Sequence, residues 1–442
     1  MNSRSLGYLH WIFAAMIGIG ALDVLLSGRD LSRIFLALEA GYGGGQHPIM
    51  PWIQRLVSVL LLVAVTERVS NHFRLGRHMP SPALTAAYLL YWTCTVALTA
   101  FFGTHRQISH EYLYTLALGG AVLLASSAER DRIIDMSRDA LYILILAGLV
   151  LIPIQPSLVM DTSYSQGLIP GLPRHGGLAP HPVALGMFAQ TFLLLTWYRP
   201  YRHSWLNWVA WAMGLTVLFI AQSKNAWIAF ALCTICMLAV RNGSNLWRRL
   251  GDPRDGAFGI IVCLLMMVVV VALAVFLLAF GMDVDDVFDS AQGAQLMSMT
   301  GRDRIWEIAI EEWQNNRMFG YGPSLWDDAF RASINMPNAT NAHNQFMDTL
   351  ARSGTIGAVS LVIYGLTLLV LSIKYARPTG GLSLALFIAL ALRSITEVPM
   401  LLLGYGYELF AHLLLLVTIA GAAASWQPRT ARQQRTIYGV AS

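Results

Sequence analysis

Asn338–Ile373 reads NATNAHNQFMDTLARSGTIGAVSLVIYGLTLLVLSI. From Thr355 onward it is apolar, with no charged residue before Lys374, and roughly 20 residues of such helix cross a hydrocarbon core of about 30 Å. The first half is polar and sets an imidazole, His343, where a water-facing loop turns into the helix. The rest of the chain repeats the contrast. Of its 442 residues 56% are hydrophobic and 12% charged, against about 25% charged in soluble domains, and the mean hydropathy is +0.54. A soluble fold is excluded, and the expected class is an all-α integral membrane protein.

Apolar runs of helical length predict about twelve transmembrane helices, near 8–27, 52–67, 83–103, 110–127, 139–155, 181–198, 204–222, 224–241, 257–281, 348–373, 381–395 and 398–424. They form a single transmembrane domain over 1–442 with no internal repeat, and a long loop over about 282–344 is expected to carry short helices and the catalytic motifs. If the N-terminus is cytoplasmic, the inner segments hold Arg68, Arg74, Arg130, Arg132, Arg199, Arg202, Arg241, Arg248, Lys374, Arg377 and Arg429, so every inner loop is basic. Both termini are therefore expected inside and the long loop outside. Reporter fusions at 250 and 435 should read cytoplasmic, and those at 290 and 335 periplasmic; a cytoplasmic result at 335 overturns the orientation. The net charge of +5 is on this reading a topology signal, and no nucleic-acid partner is implied. Cys94, Cys233, Cys236 and Cys263 all fall inside apolar runs. Cys233-x-x-Cys236 has no His or Cys companions and reads as small buried hydrophobes.

Polar residues gather on one side. The outer segments are SLVMDTSYSQGLIPGLPRHGGLAPHP (157–182), AQSKNAW (221–227), the long loop, and RSITEVPM (393–400). Within the loop MTGRDRIWEIAIEEWQNNRMFGYGP (299–323) predicts a helix capped at Thr300, with Asp303 in the first turn and an apolar stripe of Trp306, Ile310 and Trp313. Arg302 then sits in the first turn, where the helix dipole disfavours a cation. It makes sense there beside a bound anion, or as a solvated arginine paired to Asp303 or Glu307. His181 is either a packing residue at a helix start or a ligand group. Lys224 either snorkels at the interface or meets a phosphate. Arg393 and Glu397 are four apart on one helical face and can neutralise each other there. With His343, Arg174 and Arg304 they surround one outer pocket suited to a phosphorylated lipid, an imidazole being able to take a proton from a hydroxyl. Asp283-Val-Asp285-Asp286 has metal-like spacing but reads as a solvated loop edge, so neither a metal nor another cofactor is expected.

At these residues the chain resembles the O-antigen ligase and O-antigen or exopolysaccharide polymerase family of bacterial membrane enzymes. TGRDRIW, FGYG and NAHNQFMDTLARSGTIG match its long-loop pattern, including His343 and Gly354; RHGGLAPHPVALG and QSKNAW resemble its Gly/His-Pro and Ser-Arg segments. Lys224 stands where the family usually has Arg, and Val183 where Asn is common. The resemblance implies a GT-C-like fold in the bacterial inner membrane and metal-independent glycosyl transfer from an undecaprenyl-diphosphate-linked glycan at the periplasmic face. His343 and Arg302 would be catalytic. Arg174, His181, Lys224, Arg304, Tyr321, Asn344, Arg393 and Glu397 would bind diphosphate or glycan. Polymerisation of lipid-linked repeat units is the first reading, the acceptor being another such unit and a chain-length regulator a further partner. Ligation to lipid A-core or protein is the alternative. A transporter or flippase is a third, disfavoured because charge gathers at one surface rather than at the bilayer midplane.

Overall fold

The computed structural model describes residues 8–33, 47–74, 79–164, 171–250, 302–337, 339–404 and 406–425. It is helical almost throughout: α1 (Leu9–Ser27), α2 (Met50–Arg74), α3 (Pro82–Phe102), α4 (Glu111–Leu123), α5 (Ser127–Ile154), α6 (Pro182–Tyr198), α7 (Ser204–Ile220), α8 (Lys224–Leu250), α9 (Arg302–Asn315), α10 (Asp328–Ser333), α11 (Gln345–Lys374), α12 (Leu382–Thr396) and α13 (Phe410–Ser425). Among the described residues seven helices are long and apolar enough to cross a membrane: α1, α2, α3, α5, α8, α11 and a last one running Tyr407–Ser425; α6, α7 and α12 are shorter apolar helices. The protein is an all-α integral membrane protein. The expected span 257–281, the cap at Thr300, Cys263 and the Asp283–Asp286 group lie outside the described residues.

Three expectations are corrected. The expected span 139–155 starts earlier, at a Ser126–Glu129 capping box, and the added turns of α5 pair their charges, Arg138 with Asp139 at 2.8 Å and Asp135 with Arg199, after α6, at 2.7 Å. The expected span 398–424 becomes an irregular segment followed by a helix from Tyr407. The buried face of α9 is Ile305, Ile308 and Ala309, turned toward α11, while Ile310 is 39% exposed. Trp306 and Trp313 flank that face because each indole N–H needs an acceptor. They find Ala342 O at 2.9 Å and Arg317 O at 3.1 Å.

Lipid offers no hydrophobic drive for helices to associate, so close packing and buried hydrogen bonds must hold the bundle. α3 and α11 meet through Tyr91 and Tyr364, stacked at 4.9 Å. Tyr364 Oη is 2.5 Å from His412 Nε2 on α13, and Tyr88 donates to Thr115 O on α4 at 2.7 Å. α4 comes this close because residue 119 is glycine: a Cβ there would lie 2.2 Å from Tyr88 Cζ. Tyr91 and Thr115 also donate to the carbonyls of Met400 and Leu402 at 3.1 and 2.8 Å. The tyrosine cluster is thus the floor under the irregular segment after α12.

α11 is broken once, at Gly354, with φ 64° and ψ −166°. No other residue fits, since a Cβ would stand 2.3 Å from Met318 O. The break frees backbone groups, and irregular backbone at membrane depth must be satisfied by protein. The segment after α9 does this. Tyr321 N and Gly322 N donate to Ala351 O and Arg352 O at 2.9 and 3.0 Å, and Thr355 N donates to Arg317 O at 2.8 Å. The loop is thereby fastened to the end of α11 that carries His343.

Candidate functional site

A chain of hydrogen bonds draws the four polar segments together. Arg174 Nε donates to Ala221 O at 2.9 Å, and Gln222 Nε2 donates to Leu172 O at 2.8 Å, joining the first segment to the turn before α8. Asn225 Nδ2 then reaches Thr396 Oγ1 at 2.9 Å, joining that turn to the end of α12. Asn344 Nδ2 donates to Ile395 O at 3.2 Å, and Met400 N donates to Gln345 Oε1 at 2.8 Å, joining α12 to the start of α11. Asn344 is also the N-cap of α11, its Oδ1 accepting from Phe346 N at 3.0 Å and Met347 N at 3.1 Å.

His343, just before that cap, has φ 48°, a left-handed conformation rare for a residue with a side chain. Its amide donates to Asn341 Oδ1 at 2.8 Å, which steadies the turn. Its Nδ1 lies 3.5 Å from Glu397 Oε2, a close approach rather than an aligned hydrogen bond. Both side chains are about a quarter exposed, at 28% and 24%. α12 ends at Thr396 and Glu397 is extended, so the expected Arg393–Glu397 pairing on one helical face does not form. Glu397 turns to His343 instead, and Arg393 Nε is buried without a hydrogen-bond partner among the described residues.

Electrostatics extend the cluster. Burial alone would raise the Glu397 carboxyl, but His343, Arg393 and Arg302 together hold it below the usual carboxylate range. His181 interacts with Arg174 and Glu397, and buried Arg174 also lies 4.6 Å over the Tyr164 ring. His343, Glu397, Arg393, Arg302, His181 and Arg174 therefore share one field with a surplus of cations. Lys224 starts α8 beside Asn225 and is exposed. Arg304 and Tyr321 are not drawn in. Arg304 pairs with Glu307 at 3.0 Å on the outer face of α9, and Tyr321 stacks on His105 at 4.2 Å. Among the described residues no cluster of three His, Cys, Asp or Glu side chains could hold a metal ion.

His181 caps α6, its Nδ1 accepting from Val183 N at 3.2 Å, which requires an unprotonated nitrogen. Burial first, and Arg174 second, push its pKa down to about 4, and burial brings His175 to about 4 as well. Unfolded imidazoles titrate near 6.5, so between about pH 6.5 and pH 4 the unfolded chain binds the extra protons. Stability is full above that window and falls as pH drops through it. The midpoint of thermal unfolding in detergent should fall between about pH 7.5 and pH 5, and by less in His181→Gln.

Several residues that build the site were not expected from sequence. Arg29, after α1, donates to Leu158 O, Gly177 O, Ala179 O and Pro180 O at 3.2, 3.1, 2.9 and 2.6 Å, clamping the segment that ends at His181. Nothing local to Arg29 foretells partners so far away in the chain. Asp348 and Arg352 fasten the loop from the α11 side, and their i, i+4 spacing was a readable signal.

Residues 208–362 match the family model described as O-Antigen ligase. No curated protein matches the chain. The matched stretch holds Lys224, Arg302, Arg304, Tyr321, His343 and Asn344, while Arg174, His181, Arg393 and Glu397 lie outside it.

Proposed function

We propose that the chain, a multi-pass membrane protein whose residues 208–362 match the O-antigen ligase family model, is an enzyme of O-antigen ligase or polymerase type that transfers a glycan from an undecaprenyl diphosphate carrier to a sugar hydroxyl. The observation that carries this reading is His343 Nδ1 at 3.5 Å from Glu397 Oε2, beside Arg302 and Arg393. A carboxylate facing Nδ1 favours a proton on that nitrogen and leaves Nε2 free to accept one. The acceptor O–H attacks the anomeric carbon, its proton passes to His343 Nε2, and the bond to the carrier breaks with its electron pair on the departing diphosphate. Arg302, Arg393 and Arg174, with Lys224 at the rim, stabilise that growing negative charge. Asn344 positions the imidazole through the cap of α11. Arg304 and Tyr321, originally placed with the ligands, are reassigned to the surface and the packing of the loop.

The reaction is set at the periplasmic face of the bacterial inner membrane, with both termini cytoplasmic, in one transmembrane domain over 1–442 whose 282–344 periplasmic loop carries catalytic motifs. For the acceptor, the resemblance of TGRDRIW to polymerases supports a second lipid-linked repeat unit, with a chain-length regulator as partner. Ligation to lipid A-core or protein is the second reading, and the family match over 208–362 is compatible with both. Incubating the purified protein with lipid-linked repeat units, with and without rough lipopolysaccharide, separates the two: lengthened carrier-bound chains mean polymerase, and chains moved to lipid A-core mean ligase. Neither product rejects glycosyl transfer. Turnover should persist in excess chelator; its loss, restored by a divalent ion, would assign a metal to Asp283, Asp285 and Asp286.

A further inference from the structure

Beside the cationic cluster lies a second chamber, a cavity of about 560 Å³ lined by α1, α2 and α4 and by Pro180, Gly404, Gly406 and Tyr407. We propose that it receives the saccharide of the acceptor, an inference that rests on the glycosyl-transfer reading above and assigns the second substrate. Its size is that of ligand sites in general, roughly 300–1,000 Å³.

Its chemistry differs from that around His343. Asp23 and Glu111 face it together with Arg55 and His110, and two carboxylates against one guanidinium make it a poor place for a diphosphate. Carboxylate, guanidinium and amide groups hydrogen-bond hydroxyls in pairs, and Tyr114 and Tyr407 supply aromatic faces for the apolar side of a sugar ring. Asp23 Oδ1 is buried with no hydrogen-bond partner among the described residues, an acceptor awaiting a donor. Among those residues neither Arg55 nor Glu111 is in an ion pair. The wall is shared with the reaction site: Pro180 precedes His181, its carbonyl is held by Arg29 at 2.6 Å, and Tyr407 lies within electrostatic reach of Arg393 and Glu397. A saccharide seated here would bring one hydroxyl over this wall to His343, while the carrier diphosphate occupies the cationic side.

The test measures binding as well as turnover. Gln54→Cys, on the α2 wall, and Gly404→Cys, where a Cβ meets nothing within 4 Å, place thiols in the cavity; Ala329→Cys on exposed α10 is the control. Labelling by a charged thiol reagent should slow by about tenfold or more at one or both cavity positions when the host's lipid-linked repeat units or its O-chain-free lipopolysaccharide are added. The control should not change. In the two-substrate assay Gly404→Trp should raise the acceptor KM about tenfold and leave the donor KM within about twofold. Protection by undecaprenyl diphosphate alone, protection by neither glycolipid, or a rise confined to the donor KM overturns the assignment. Because labelling needs no turnover, it reads out even if His343→Ala stays active, so failure of the chamber and failure of the chemistry are separable.

Discussion

His343→Ala is expected to lower turnover by about 10²- to 10⁴-fold, the range for removal of a positioned acid or base, while the protein still folds and inserts. The imidazole is 28% exposed at its side chain and caps nothing, since the N-cap of α11 is Asn344. Alanine keeps the Cβ, so the backbone at φ 48° is neither relieved nor newly strained by the substitution. Single-turnover rates with the lipid-linked donor are the measurement. A second variant separates base from bystander: Glu397→Gln keeps the shape but removes the negative charge facing Nδ1, and it should lower the rate by less than His343→Ala does. If His343→Ala retains near-normal turnover, the base assignment fails and the Glu397 contact is structural.

Arg352→Ala should act through stability, costing about 3–5 kcal/mol, as removal of one partner from a buried ion pair does. Arg352 and Asp348 have side chains only 5% and 1% exposed and meet at 3.1 Å. The same guanidinium donates to Pro323 O and Leu325 O at 2.7 and 2.6 Å, and Asp348 accepts the Ala342 amide at 3.1 Å. Without Arg352 two carbonyls lose this donor and the Asp348 carboxylate loses its cation, keeping only the Ala342 amide. The loop segment bearing Gly322–Leu325 and the turn before His343 would then loosen. Thermal unfolding in detergent should show the loss, and Arg352→Lys should restore only part, because an ammonium cannot spread its donors over three acceptors with the planar geometry of a guanidinium. An Arg352→Ala protein as stable as the parent would show that the pair does not fasten the loop.

Membrane class and most of the helices were legible in the sequence, because twenty apolar residues have one favourable arrangement in a bilayer and each span reports itself locally. The run after Thr355 needed no partner to be read. Charge was legible too: the convergence of Arg174, Arg302, Arg393, His343 and Glu397 on one side of the bundle follows from counting spans, and the family match covers Arg302 and His343.

What only the tertiary structure decided is who pairs with whom. On helical spacing Arg393 and Glu397 are partners. α12 stops at Thr396, and one extended residue swings the carboxylate to an imidazole in the turn before α11. The stripe of α9 followed the same rule. The spacing of Trp306, Ile310 and Trp313 reads as the inner face, but Ile305, Ile308 and Ala309 took it, each tryptophan having an N–H to satisfy at the edge of the contact. Arg29 is the extreme case, a cation after the first span whose four acceptors lie on a segment more than a hundred residues on. Hydropathy is a property of each residue and is written along the chain. A hydrogen-bond partner is a property of two residues brought together, and it exists only once the bundle has closed.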